Sequence, residues 1–191
     1  MKIARWMIGA LLVAAIAIIV SFQLSPSRDH WPVAEPHPPA QPGDVTLTFL
    51  GTSTVLISDG TTHLLTDGYF SRVSIPQLFG LIEPNPERID NALKQAGIRK
   101  LDAIPVLHTH FDHAMDSPLV AQRTGAQLLG SASTAMVGRG GGLPEARITT
   151  VQTHHPYRFG DFTLYFVPAG HVPLPQAIEN WTGKGERTAP V

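Results

Sequence analysis

The hydrophobic pattern opens on an uncharged, overwhelmingly apolar run over residues 6–24, behind Lys2 and Arg5. Its length is close to the roughly 20 residues that a helix needs to cross a bilayer. The run is longer than the apolar core of a secretory signal, and no clean Ala-x-Ala site follows it. The pattern therefore predicts a transmembrane or signal helix over residues 1–24, with a retained anchor favoured over a cleaved signal. With Lys2 and Arg5 on the inside, the rest of the chain faces the periplasm or the cell exterior, and it is secreted if the segment is cleaved. Residues 25–44 then carry Pro26, Pro32, Pro36, Pro38, Pro39 and Pro42 among small and polar residues. Such a stretch sustains neither a helix nor a central strand and predicts an extended, semi-rigid linker, a simpler reading than a proline-rich recognition peptide.

The remaining segment, residues 45–191, reads as alternating strands and short helices. Asn85-Pro86-Glu87 opens a helix that runs to about Gln95 and ends at Gly97. The apolar residues 101–107 predict a buried strand. Ser117-Pro118 opens a second helix to Arg123, residues 126–129 form a short strand, and Ser131 caps a helix toward Val137. The glycines from Gly138 to Gly142 read as a flexible loop rather than a phosphate loop, since neither a helix start nor a Lys-Ser/Thr pair follows them. Phe159-Gly160-Asp161-Phe162 predicts a hairpin turn. No repeat at a solenoid period is present.

Composition narrows the function classes. A hydrophobic content of 43% permits a core, and a formal charge of -1 offers no electrostatic argument for binding nucleic acid. Zero cysteines exclude disulfides, thiol nucleophiles and thiolate metal ligands together.

The chemistry concentrates in His108-Thr109-His110-Phe111-Asp112-His113. Three imidazoles and a carboxylate are nitrogen and oxygen donors suited to a divalent ion such as zinc. They follow a predicted strand, where sites tend to be built. In extended backbone His108 and His110 share a face and converge on one ion, which leaves Asp112 and His113 free for a second. The helical His-Glu-x-x-His pattern is absent, which removes support for a thermolysin-like peptidase. His154-His155 precede Pro156 in a loop and read as loop histidines, because better-spaced donors already supply the site. His63 alternates within a strand and reads as surface or packing. Asp116 reads by default as the cap of the Ser117 helix, with orientation of a ligand as the alternative.

This run resembles the His-x-His-x-Asp-His signature of the metallo-β-lactamase-fold hydrolases. Residues 45–50, 52–58 and 63–68 resemble that family's opening strands, which end in an aspartate, here Asp67. Residues 162–171 resemble the strand that delivers its next ligand, here His171. The resemblance covers residues 45–175 and implies an α/β fold, the N-terminal half only of a metallo-β-lactamase-like αββα sandwich. It implies that His108, His110 and His171 hold one zinc and that Asp112 and His113 contribute to a second. Asp67 becomes a buried support for the ligand loop, although an Asp-Gly turn after a strand explains it equally well. Asp112 is the implied catalytic carboxylate, acting on a metal-activated water.

The family's later bridging aspartate and last histidine find no counterpart, since only Glu179 and Glu186 follow His171 as carboxylates. The expectation is thus a fragment or a truncated gene product. The continuation from Phe111 to Asp116 resembles lactone hydrolases and phospholipase D-like phosphodiesterases more than antibiotic-degrading lactamases. Substrates are then small or lipid-like esters, lactones or phosphodiesters. The alternative is a truncated, catalytically inactive, membrane-tethered metal-binding or interaction remnant.

Overall fold

The computed structural model describes residues 2–23, 40–41, 43–74, 77 and 80–169. The chain divides into two units, Met1–Pro39 and Ala40–Val191.

The first unit contains helix α1, Lys2–Gln23, whose apolar side chains from Trp6 to Val20 are exposed. Among the described residues no helix is long and apolar enough to cross a membrane, so the expected transmembrane span is not shown.

The second unit is built on a six-stranded sheet of β1 (Thr46–Gly51), β2 (Thr54–Ser58), β3 (His63–Leu65), β4 (Ala103–Pro105), β5 (Gln127–Gly130) and β6 (Ile148–Thr150). The strands lie in sequence order. The β1–β2 and β2–β3 pairs are antiparallel, and every later pair is parallel. Parallel neighbours need crossover connections. Helix α2 (Pro86–Gln95) joins β3 to β4, α3 (Phe111–Ala114) and α4 (Ser117–Thr124) join β4 to β5, and α5 (Ala132–Gly140) joins β5 to β6.

Side-chain alternation sorts the sheet into two faces. Leu65, Ile104 and Leu128 turn to one side and pack with Ile89 and Leu93 of α2, Val120 and Ala121 of α4 and Val137 of α5. Their neighbours Leu64, Ala103 and Leu129 turn to the other side, against a hairpin of β7 (Pro156–Phe159) and β8 (Phe162–Tyr165). Tyr157, Phe159, Phe162 and Leu164 of that hairpin supply the contact. The order is helices, sheet, hairpin. Each fully buried leucine or isoleucine contributes about 1.5–3 kcal/mol through loss of apolar surface to water.

Local chemistry sets the element ends. Asn85 Oδ1 accepts from Arg88 N at 3.0 Å and caps α2, with Pro86 in its first turn, and Gly97 closes it at φ 68. The predicted strand over residues 101–107 is hydrogen-bonded as a strand only from Ala103 to Pro105. Pro105 has no N–H to offer β3, and β3 leaves the sheet at Asp67 and Gly68, both in left-handed backbone (φ 56 and 78). A second difference lies at Gly138–Gly140, expected as loop and found inside α5. A Cβ at Gly138 would come within 2.9 Å of Leu128 and 3.1 Å of Ile148, so the glycine lets the helix lie close to the sheet.

Candidate metal centre

Strands β3, β4 and β5 run parallel, so their carboxyl ends open on the same edge of the sheet, where ligands bind in open α/β folds. Each end delivers part of one cluster: Asp67 from β3, the histidine run from β4, and Ser131 from β5.

The His108 and His110 rings meet edge to face with centroids 4.1 Å apart, and the His108 and His113 rings at 5.2 Å. His110 is extended (φ -65, ψ 158) and starts the one-turn helix α3. Asp112 and His113 therefore lie on a helical turn. His108 Nε2 is buried. The Asp112 side chain is 41% exposed and lies 4.0 Å from His113 Nε2.

Thr109, between the first two histidines, has its hydroxyl 3.2 Å from Ser131 Oγ and 3.3 Å from Thr134 Oγ1. Ser131 also caps α5 by accepting from Thr134 N, as expected. A side chain drawn toward these hydroxyls leaves His108 and His110 to share the opposite side of the extended segment.

Asp67 is fully buried beneath this cluster. Its Oδ1 accepts from Leu107 N at 2.7 Å, and its Oδ2 lies 2.9 Å from His113 Nδ1. A carboxylate oxygen can only accept, so Nδ1 carries the proton and Nε2 is left as the ring's donor atom. Ser53 Oγ stands 3.0 Å from the same Nδ1, and Ser117 Oγ donates to the Asp67 backbone carbonyl. Asp67 thus combines two features. It is a left-handed Asp-Gly turn, and its carboxylate orients a histidine of the cluster.

Asp116 corrects an expectation. It precedes α4 but makes no capping hydrogen bond, and its carboxylate instead accepts from Phe70 N, Ser71 N and Ser71 Oγ. The sequence carried the signal in Pro118, which removes one of the N–H groups that a capping carboxylate serves. Tyr69 was missed altogether. Its ring stands edge to face with Phe111 at 6.3 Å, and its hydroxyl accepts from Val73 N at 2.8 Å. Burial pushes this hydroxyl's pKa up, against the Val73 hydrogen bond, and the nearby Asp116 and Asp112 carboxylates push it further.

His171, Glu179 and Glu186 lie outside the described residues. Among the described residues no group of three or more His, Asp or Glu side chains stands close enough, as placed, to hold an ion. The donor types nevertheless fit zinc: neighbouring imidazoles, one locked into the tautomer that ligation needs, and an adjacent carboxylate. His154, with φ 62, and His155, edge to face with Tyr157 at 5.0 Å, lie before β7 as loop histidines. His63 Nδ1 is 2.8 Å from Ser58 Oγ, a packing role on the neighbouring strand.

No family model matches the chain. A stretch of 71 residues is 35% identical to a UPF0173 metal-dependent hydrolase of Myxococcus xanthus, covering 37% of this chain and 24% of that protein. The chain thus matches about a quarter of the relative's length. Among solved structures, a metallo-β-lactamase of Cronobacter sakazakii aligns at TM-score 0.43 and 25% identity, over 65% of this chain and 50% of that one. The subclass B3 enzyme BJP-1 of Bradyrhizobium japonicum aligns at TM-score 0.43 and 20% identity, over 62% and 47%. At these scores the overlap is partial, and nothing about this chain's chemistry follows from it. Over that 71-residue stretch, about a third of its length, the chain is similar to a metal-dependent hydrolase.

Proposed function

We propose that the chain serves a metal-dependent hydrolase acting on an ester, lactone or phosphodiester of a small or lipid-like molecule. The metal is zinc, with His108, His110 and His171 as its ligands and Asp112 and His113 beside a second ion. One observation carries the reading: His108, His110 and His113 gather at the carboxyl end of β4, and buried Asp67 fixes the His113 tautomer.

A zinc ion, when bound, lowers the pKa of water to about 7 and places positive charge where the transition state becomes anionic. The residues do the rest. Asp67 holds His113 and, through Leu107 N, the start of the ligand loop. The half-exposed Asp112 carboxylate is free to orient the attacking water and take its proton. Tyr69 and Phe111 form an aromatic wall beside it.

Replacing Asp112 with Ala should abolish turnover of generic phosphodiester and lactone substrates while leaving the fold intact. An unchanged kcat removes Asp112 from the chemistry. The second reading is a tethered binding remnant without catalysis. Stoichiometric zinc with no turnover of any such substrate selects it.

The apolar α1, with Lys2 and Arg5 at its start, supports a further proposal, that the chain is anchored with its second unit in the periplasm or outside the cell. Release from membranes by alkaline carbonate removes the anchor reading.

A further inference from the structure

Asp116 is fully buried, and among the described residues its carboxylate accepts hydrogen bonds from one distant segment. Oδ2 accepts from Phe70 N at 2.7 Å and Ser71 N at 2.6 Å, and Oδ1 accepts from the Ser71 hydroxyl at 2.7 Å. Burial pushes the carboxyl's pKa up, against the pull of these three bonds. A buried charge is tolerated only with such partners, and hydrogen bonds to a charged acceptor are about twice as strong as neutral ones.

The ties continue outward. Ser71 Oγ accepts from Asn85 N at 2.7 Å, and the carbonyls of Ser71 and Arg72 accept from Arg88 at 2.6 and 3.0 Å, which joins segment 69–73 to the start of α2. On one side of this tether Tyr69 stands against Phe111 of the histidine run. On the other, Ser71 and Val73 line a cavity of about 510 Å³ with Ile82, Asn85 and Arg88.

The geometry points to Asp116 as a positioning residue: its carboxylate straps segment 69–71 to the turn after the histidine run, holding Tyr69 against Phe111 as the wall that substrate meets. The strap sets how substrate fits, not how metal binds or how the bond breaks. The substrate part rests on the hydrolase reading above, and the strap itself does not.

The full chain is compared with Asp116→Asn, which keeps the side chain's shape, and with Ser71→Ala, which cuts the same strap from outside the histidine run. Three quantities are read: amide exchange at residues 70 and 71, affinity for Co2+, and kinetics on bis(p-nitrophenyl) phosphate. In both variants exchange at these amides should rise by about tenfold. Co2+ affinity should stay within about twofold, and KM should rise by about fivefold with kcat within about twofold. Unchanged exchange in both variants overturns the proposal. So does a loss that falls on kcat or on Co2+ affinity with KM unmoved. If the unaltered chain hydrolyses nothing, the hydrolase reading falls, and amide exchange with Co2+ affinity still decides for or against the strap.

Discussion

At the scale of single residues, two buried carboxylates tie distant backbone segments together. Asp67 and Asp116 are both fully buried and both bind backbone N–H groups of another segment. Removing Asp67 as Asp67→Ala strands Leu107 N and frees the His113 ring. The expected cost is about 1–3 kcal/mol of stability for the stranded donor, measured by urea unfolding. A 10- to 100-fold loss of zinc affinity should accompany it, measured by chelator competition. Unaltered affinity shows that His113 does not need its partner.

At the opposite end of the sheet, Asp102 Oδ2 accepts from His63 N at 2.8 Å and Oδ1 meets Lys100 Nζ at 2.9 Å. Partial burial pushes the Asp102 carboxyl up, and the His63 N–H and Lys100 outweigh it, so the pKa lies below its ordinary 3.8. The folded pKa being the lower one, the stabilisation is present above about pH 3.8 and is lost as pH falls through the folded value. Asp102→Asn should therefore flatten the acid limb of the stability profile and leave wild-type stability the higher near neutrality. Asp116, raised by burial, has the opposite sign: its contribution is greatest below its ordinary 3.8 and declines as pH rises through the folded value.

At the scale of elements, the strand ends decide where chemistry can sit. Gly130 closes β5, and a Cβ there would stand 2.7 Å from both Thr134 Cβ and Cγ2. Threonine is branched at Cβ and cannot swing aside, so Gly130→Ala should cost about 1–3 kcal/mol. It should also disturb the Thr109, Ser131 and Thr134 hydroxyls that back the histidine run. Thermal unfolding checks the first effect, and a stability equal to wild type contradicts the close approach.

Elements with local signals were legible in the sequence. Asn85 and Gly97 bracket α2, Ser131 starts α5, and Gly160 turns the β7–β8 hairpin, all as their residue types dictate. What escaped was set by distant partners. Gly138 to Gly140 look like loop until Leu128 and Ile148 are known to press on the helix. Asp116 looks like a cap until Phe70 and Ser71, 46 and 45 residues upstream, are seen to claim it. The histidine run stood out by its residue types, but nothing local marked Tyr69 as a neighbour of Phe111.

At the scale of the whole molecule, the described residues of the second unit cover its central strands on both faces and leave apolar side chains of β1 exposed. Leu47 and Phe49 are each 69% exposed on a strand that, among the described residues, pairs only with β2, and Val45 just before it is 55% exposed. An edge strand with exposed apolar side chains is prone to pair with other chains. Phe49→Lys should reduce concentration-dependent light scattering without lowering the unfolding temperature, and unchanged scattering shows that this edge does not drive association. The proposed zinc centre sits elsewhere, where the parallel strands end.

The most direct measurement of that centre is zinc K-edge X-ray absorption on the purified full chain, beside His108→Ala and His110→Ala. Imidazole ligation predicts nitrogen or oxygen scatterers at about 2.0–2.1 Å, with the ring signal reduced in each variant. A chain that binds no zinc at stoichiometric level, or binds it with the same ring signal after both replacements, contradicts the account.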